Sequence, residues 1–344
     1  MAITTLDGII AGMMPPQEFY KIGAGTQVIG RYYSTAYASG FPGAMSAPAG
    51  GLQGLGLLTK AGQIPFTNPG SGNTYLARFA AEAIVPGTLL ICDRLWENSG
   101  NSSTITTTQT HSVAASAISV ANPTQLTTAA HGQAAGTFTV VITGSNSTPS
   151  VDGTWTATYV DATKFTIPVN VTNSGSAGVV RIGIPGGRDG TGTAVGTSGA
   201  PTKFGEGVML AYEVSSGMGS GTPTFALNYI NQDGAVKAAT TITLTASYIA
   251  GAFIQIPLAA GDTGVRAITD HIKNATQNSG TYHLVMYRVL ARVGIPIAGA
   301  GFGVDAVTGG FPRLYDNSVP FLVWVPGSTT APSIISGQMI VTQG

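Results

Sequence analysis

The stretch GDTGVRAITDHIK sets Asp262, Arg266, Asp270, His271 and Lys273 within twelve residues. A carboxylate beside an imidazole is the arrangement of a general-base pair, which takes up a proton as a reacting bond breaks. Such a pair works only with a nucleophile and a donor group for the developing charge within reach, and the flanking residues name neither. The same charges read more simply as the solvated rim of a strand and its turn, or as a salt-bridged contact between subunits. A second stretch, GGRDGTGTAVGTSGAP from Gly186, invites comparison with a phosphate-cradling loop or an integrin-style recognition tip. Its spacing fits no nucleotide fingerprint, and it does not follow a strand and open a helix. It reads as a flexible loop with an Asp-Gly turn.

Other chemistries lack an anchor. None of the six lysines follows a glycine, as the phosphate-gripping lysine of a Walker loop must. No G-x-S-x-G or H-E-x-x-H motif occurs, so serine-hydrolase and zincin readings have no starting point. His111, His131, His271 and His283 are dispersed, with Cys92 as the single cysteine, so no tight zinc ligand set is visible. Cys92 has no partner for an internal disulfide and reads as a buried thiol. Glycan hydrolysis needs two carboxylates about 5–10 Å apart, and no motif singles out such a pair. No catalytic residue, metal or cofactor is expected, and the chain reads as a non-enzyme.

The elements that position these residues follow from composition and pattern. The 344 residues allow about two domains and a sizeable core. Soluble domains carry about 25% charged residues, whereas this chain carries 9%, with 15 acidic and 15 basic side chains cancelling. Ser, Thr, Asn, Gln and 48 glycines supply the polarity instead, which suits a surface packed against copies of itself or a larger assembly. Arg288 and Arg292 are the nearest approach to a basic cluster, so no nucleic-acid footprint is expected. The start MAITTLDGII lacks a signal-peptide pattern. The apolar run YIAGAFIQIPLAA from Tyr248 is too short for a membrane span. The expectation is a protein made without secretion and with no nucleic-acid or membrane partner.

Residues 1–80 are punctuated by MMPPQ, SGFPGAMSAPAGGLQGLG and FTNPGSGN, too often for long regular elements. A short helix over Leu6 to Met13, stopped by Pro15 and Pro16, leads into an extended arm. Phe19, Tyr20, Tyr32, Tyr33, Tyr37 and Phe41 are its candidate interface anchors, because disordered linkers usually lack such residues. Residues 81–112 and 184–344 read as the main β-domain. STITTTQTHS reads as a half-exposed strand, and in TFALNYINQDG the residues Phe225, Leu227 and Tyr229 share one face before the Asp233-Gly234 turn. Strands of about eight to ten residues between turn signals predict an all-β fold, an antiparallel sandwich or jelly roll. Residues 113–183 differ in texture, with shorter strands such as TFTVVITG, GTWTATYVD and KFTIPVNV. There Trp155, Tyr159, Phe165 and Ile167 are the candidate core of an inserted small β-module, with Trp155 also its candidate exposed aromatic.

Two resemblances attach to these residues. The run from Thr110 through VDGTWTATYVDATKFTIPV, with His131-Gly132 and the strand Val140 to Gly144, resembles the small β-barrel or Ig-like modules of tailed-phage virion proteins. PGTLLICDRLWENSG (from Pro86), FGEGVMLAYEVSS (from Phe204), PLAAGDTGVRAI (from Pro257) and GTYHLVMYRVLA (from Gly280) resemble phage head-associated, decoration-type proteins. In those relatives the chain runs from the QTHS strand straight to an RDG segment, here Arg188-Asp189-Gly190, which fits a module inserted between them. The resemblance implies a β-sandwich virion component, made in the host cytoplasm and located on the capsid exterior. It would bind the major capsid protein and itself as a homo-oligomer, a trimer being favoured, and cement capsomers. Two alternatives stay open: a tail-fibre or baseplate protein binding receptor or carbohydrate, in which Trp96, Trp155 or Trp324 stacks on sugar, and, less favoured, the major capsid protein itself. A glycan-degrading enzyme comes last.

Overall fold

The computed structural model describes residues 5–46, 48, 53–66, 72–185, 205–310, 312–329 and 332–344. The glycine-rich stretch from Gly186, with Arg188-Asp189-Gly190, lies outside them. The fold is all-β and antiparallel, in three sheets and one small closed barrel.

The central element is the strand Gly87–Glu97, whose residues from Leu89 onward are all buried. Its run LLICDRLW has no polar alternation, as a strand covered on both faces requires. Leu89 and Ile91 face one core with Phe19, Phe79, Trp324 and Met339. Leu90 and Cys92 face another with Ala211, Val285, Tyr287 and Phe321. The sheet around it runs Phe253–Ile256, Met209–Ser216, Thr281–Ile295, Gly87–Glu97, Pro320–Pro326, Tyr33–Ser34. A second sheet covers its first face: Phe302–Asp305, Thr74–Ala83, Ile334–Gln343, Gln17–Ile22, Ser39–Phe41. A third, smaller sheet holds Val236–Ala238, Thr224–Asn231, Val265–Lys273 and Gln109–Thr110. Phe225, Leu227 and Tyr229 all point inward from its long strand, as their alternation requires.

The segment expected as an arm is built into the molecule's own sheets. Gln17–Ile22 lies between Ile334–Gln343 and Ser39–Phe41, Tyr33–Ser34 extends the central sheet, and Leu55–Gly56 pairs with Gly87–Glu97. The physical reason is the second apolar face of the central sheet. Ala36, Met45 and Leu57, with Tyr32, Tyr37 and Leu55 against them, cover it; left bare, each large side chain there would cost about 1.5–3 kcal/mol. The predicted helix forms over Leu6–Ala11, where Thr5 Oγ1 accepts from the Gly8 amide at 3.0 Å as its N-cap. STITTTQTHS forms only the short pairing Gln109–Thr110, because its threonines offer no apolar face to bury.

The barrel closes in the order Thr124–Thr128, Lys164–Ile167, Gly153–Asp161, Thr137–Thr143, Val179–Ile182, Val113–Ile118. Its interior holds Leu126, Val140, Ile142, Ala157, Phe165 and Ile167. Closure removes the free edges of such short strands. His131 is buried against Phe138, Tyr159 and Phe165.

Candidate functional site

The thirty ionic side chains are few, yet Lys21, Lys60, Asp93, Arg94, Glu97, Glu213, Lys273 and Arg288 are buried. The surface is therefore poorer in charge than the composition alone implies. Half of that set, Lys60, Arg94, Glu97 and Glu213, forms one ionic centre on the central sheet. Arg94 and Glu97 are three apart, which on a regular strand places them on opposite faces. The pairing of Gly87–Glu97 with Thr281–Ile295 skips Leu95, since Arg94 faces Tyr287 and Trp96 faces Met286. This bulge restores a common side, and Arg94 Nε donates to Glu97 Oε2 at 2.7 Å. Glu213 and His283 face each other across neighbouring strands and meet at 2.6 Å. Arg94 Nη2 reaches Glu213 Oε2 at 2.5 Å, and Lys60 pairs with Glu97. Tyr37, from the covering segment, places its hydroxyl 3.0 Å from His283 Nε2.

Burial pushes the Glu213 and Glu97 carboxyls up, but the cations and hydrogen-bond donors around them, Arg94 foremost, together outweigh it and hold both below the usual range. Burial likewise pulls Arg94 down, and the two carboxylates more than reverse that. Burial lowers His283 despite Glu213 beside it, leaving a neutral ring. The centre thus balances two cations against two carboxylates. Glu213 and His283 have the carboxylate-imidazole geometry of a general-base pair, but both are fully buried. Their arrangement ties the covering segment to the sheet through Tyr37 and Lys60. A second tie lies beside it: Asp93 accepts from Ser318 Oγ and the Val319 amide, and pairs with Arg288 at 3.3 Å.

The polar stretch at 262–273 does not assemble. Strand alternation turns Asp270 outward, where Asn228 Nδ2 donates to it at 2.9 Å, and His271 inward. His271 stacks on His111 at 5.0 Å, with Nδ1 2.8 Å from His111 Nε2, and its Nε2 lies 2.8 Å from Tyr282 Oη. Asp262 accepts from Tyr229 and Asn231, Arg266 donates to the Gln232 carbonyl, and Lys273 to that of Ser103. Each charge serves a local tie. Among the described residues, no group of three or more His, Cys, Asp or Glu side chains is placed to hold a metal ion, and no helix is long and apolar enough to cross a membrane.

The six candidate anchors divide. Phe19 and Tyr33 are core residues; Tyr32 and Tyr37 are half-buried against the central sheet. Tyr20 and Phe41 alone are exposed, at 42% and 58%, and they face each other across paired strands. Trp155 is half-buried against the barrel core, its Nε1 donating to the Val151 carbonyl at 2.8 Å. Trp96 and Trp324 are fully buried. The ionic centre escapes sequence reading because its members come from five distant segments; only the Arg94/Glu97 pair inside an apolar run hints at it.

No family model and no curated protein matches the chain. Among solved structures, the infectious bursal disease virus VP2 subviral particle aligns at 11% identity over 81% of this chain and 83% of that one, with a TM-score of 0.16. The Gt strain of the same virus aligns at 12% identity, 81% and 84% coverage and a TM-score of 0.14. Backbones that agree this little do not establish a shared fold.

Proposed function

We propose that the protein is a structural component of a tailed-phage particle that binds the outer capsid surface and cements neighbouring capsomers. The observation that carries this reading is where the resembling segments lie. Those from Phe204, Gly280 and Pro86 contain Met209–Ser216, Thr281–Ile295 and Gly87–Glu97, three neighbouring strands of the central sheet. The resemblance therefore covers the scaffold between the cores on the two faces of the central sheet, not scattered loops. The inserted stretch, in turn, is a closed barrel on which the body's sheets do not depend for their strand order. A surface poor in charge suits broad contacts in which apolar and backbone groups are covered by a neighbour. Closed cyclic symmetry, with a trimer favoured, would repeat one modest contact and gain by avidity.

The test is reconstitution. Capsids assembled without this protein should bind it when it is added back, gain density on their outer surface in electron-microscope images, and resist heating to a higher temperature. Shells that neither bind it nor gain heat resistance end this reading, and density confined to the tail replaces it with the receptor-binding alternative.

A further inference from the structure

We propose that the outer face of the second sheet is a binding site for a neutral oligosaccharide. The depression there has a volume of about 630 Å³, within the usual range for small-molecule sites. Its floor is small by sequence: Ala80 on Thr74–Ala83 faces Gly303 on Phe302–Asp305. A side chain at Gly303 would press on the Ala80 Cβ at 3.0 Å, so glycine keeps the hollow open. Its walls come from alternate positions of the same strands. Arg78 and Glu82 flank Ala80, and Ser336 and Gln338 lie across from Glu82 and Ala80. Glu18 and Tyr20 follow on the next strand, opposite Gln338 and Ser336, and Phe41 stands beyond Tyr20.

The chemistry of this lining selects the ligand class. Two carboxylates, an amide, a guanidinium and a hydroxyl offer planar or compact polar groups to neighbouring sugar hydroxyls, and charged partners make the stronger hydrogen bonds. Tyr20 and Phe41 add exposed ring surface, which suits a ligand apolar on one side and polar on the other. A peptide is disfavoured, because Thr74–Ala83 and Ile334–Gln343 are each paired on both edges and leave no backbone row for an added strand. Charge narrows the choice further. Asp305 sits opposite Arg78 in the strand register and feels its charge, so Glu18 and Glu82 leave the hollow negative and unfavourable to acidic sugars.

This inference is independent of the virion reading, since it needs no capsid partner. The intact protein is applied to an array of neutral and sialylated oligosaccharides, and neutral hits are titrated by calorimetry. Neutral glycans are expected to bind, with Tyr20→Ala and Glu82→Gln each weakening affinity about tenfold or more. Trp155→Ala, in the barrel, should leave it within about twofold. Tyr20 and Glu82 are exposed, so the thermal midpoints of their variants should match the parent; Glu18→Gln, at another exposed wall position, replaces any variant that fails this check. No neutral glycan bound, a preference for sialylated ones, or affinity indifferent to the wall variants overturns the proposal, as does loss of binding in Trp155→Ala.

Discussion

Arg94 sits fully buried between two carboxylates, and this geometry sets both its mutational and its pH behaviour. Removing one partner of a buried ion pair leaves the other charge uncompensated, at a cost of about 3–5 kcal/mol. Arg94→Met should therefore lower unfolding free energy by that amount in denaturant titration, and adding Glu213→Gln should recover part of it, because the two changes share one network. The pH response follows from direction. Glu213 and Glu97 hold their protons less tightly folded than unfolded, so their contribution is complete above the ordinary carboxyl value of 4.5 and is lost as pH falls below it. His283 and His271 are also depressed, by burial, from 6.5. Their unfolded forms take up protons first, so stability should begin to fall below about pH 6.5 and fall more steeply below about pH 4.5. Urea midpoints measured from pH 7 to pH 3 check this, and Glu213→Gln should flatten the lower, steeper part.

Among the elements, the long strands were legible and the short ones were not, for a physical reason. Phe225, Leu227 and Tyr229 announce their shared face because a half-buried strand must alternate, and all three are buried. The barrel strands were legible from the same pattern, although Trp155 and Tyr159 stand only half inside and Ala157 takes the inner position between them. Residues 1–80 read as an arm in sequence because glycine and proline punctuate them so often. Two of those glycines, Gly40 and Gly54, mark close approach rather than looseness. At Gly40 an added Cβ would lie 1.9 Å from the Tyr20 carbonyl oxygen, and at Gly54, where φ is +76°, it would lie 2.0 Å from the Trp96 ring. Pattern reading finds periodic burial, but a segment that covers a sheet by such close approach has no period to find. Gly54→Ala tests this directly: strain at positive φ and collision with Trp96 should together cost about 2 kcal/mol or more, read as a lowered thermal midpoint. An exposed glycine such as Gly30, also at positive φ but with nothing within 4 Å of an added Cβ, should cost less.

At the scale of the whole molecule, the question is whether the barrel is a bead on a string or part of one body. The buried side chains answer that it is coupled: one continuous apolar cluster runs from Leu126, Val140 and Phe165 of the barrel to Tyr212, Phe225 and Tyr282 of the body. Val141 points out of the barrel, against its interior-facing neighbours Val140 and Ile142, and packs on Ile230 and Ala267 of the third sheet. Gln133 Nε2 adds a bond to the Gly54 carbonyl at 3.0 Å. The barrel also has its own closed hydrogen-bond ladder, so cutting the contact should release it rather than unfold it. Val141→Asp would place a carboxylate against the apolar side chains of Ile230 and Ala267, a change of several kcal/mol at the junction that Arg181, its register partner, offsets only in part. Calorimetry should show one cooperative transition for the parent protein and two for the variant, the barrel melting apart from the body. A variant that still melts in one step would mean that the joining strands at residues 109–113 and 179–185, and not the packed face, carry the coupling.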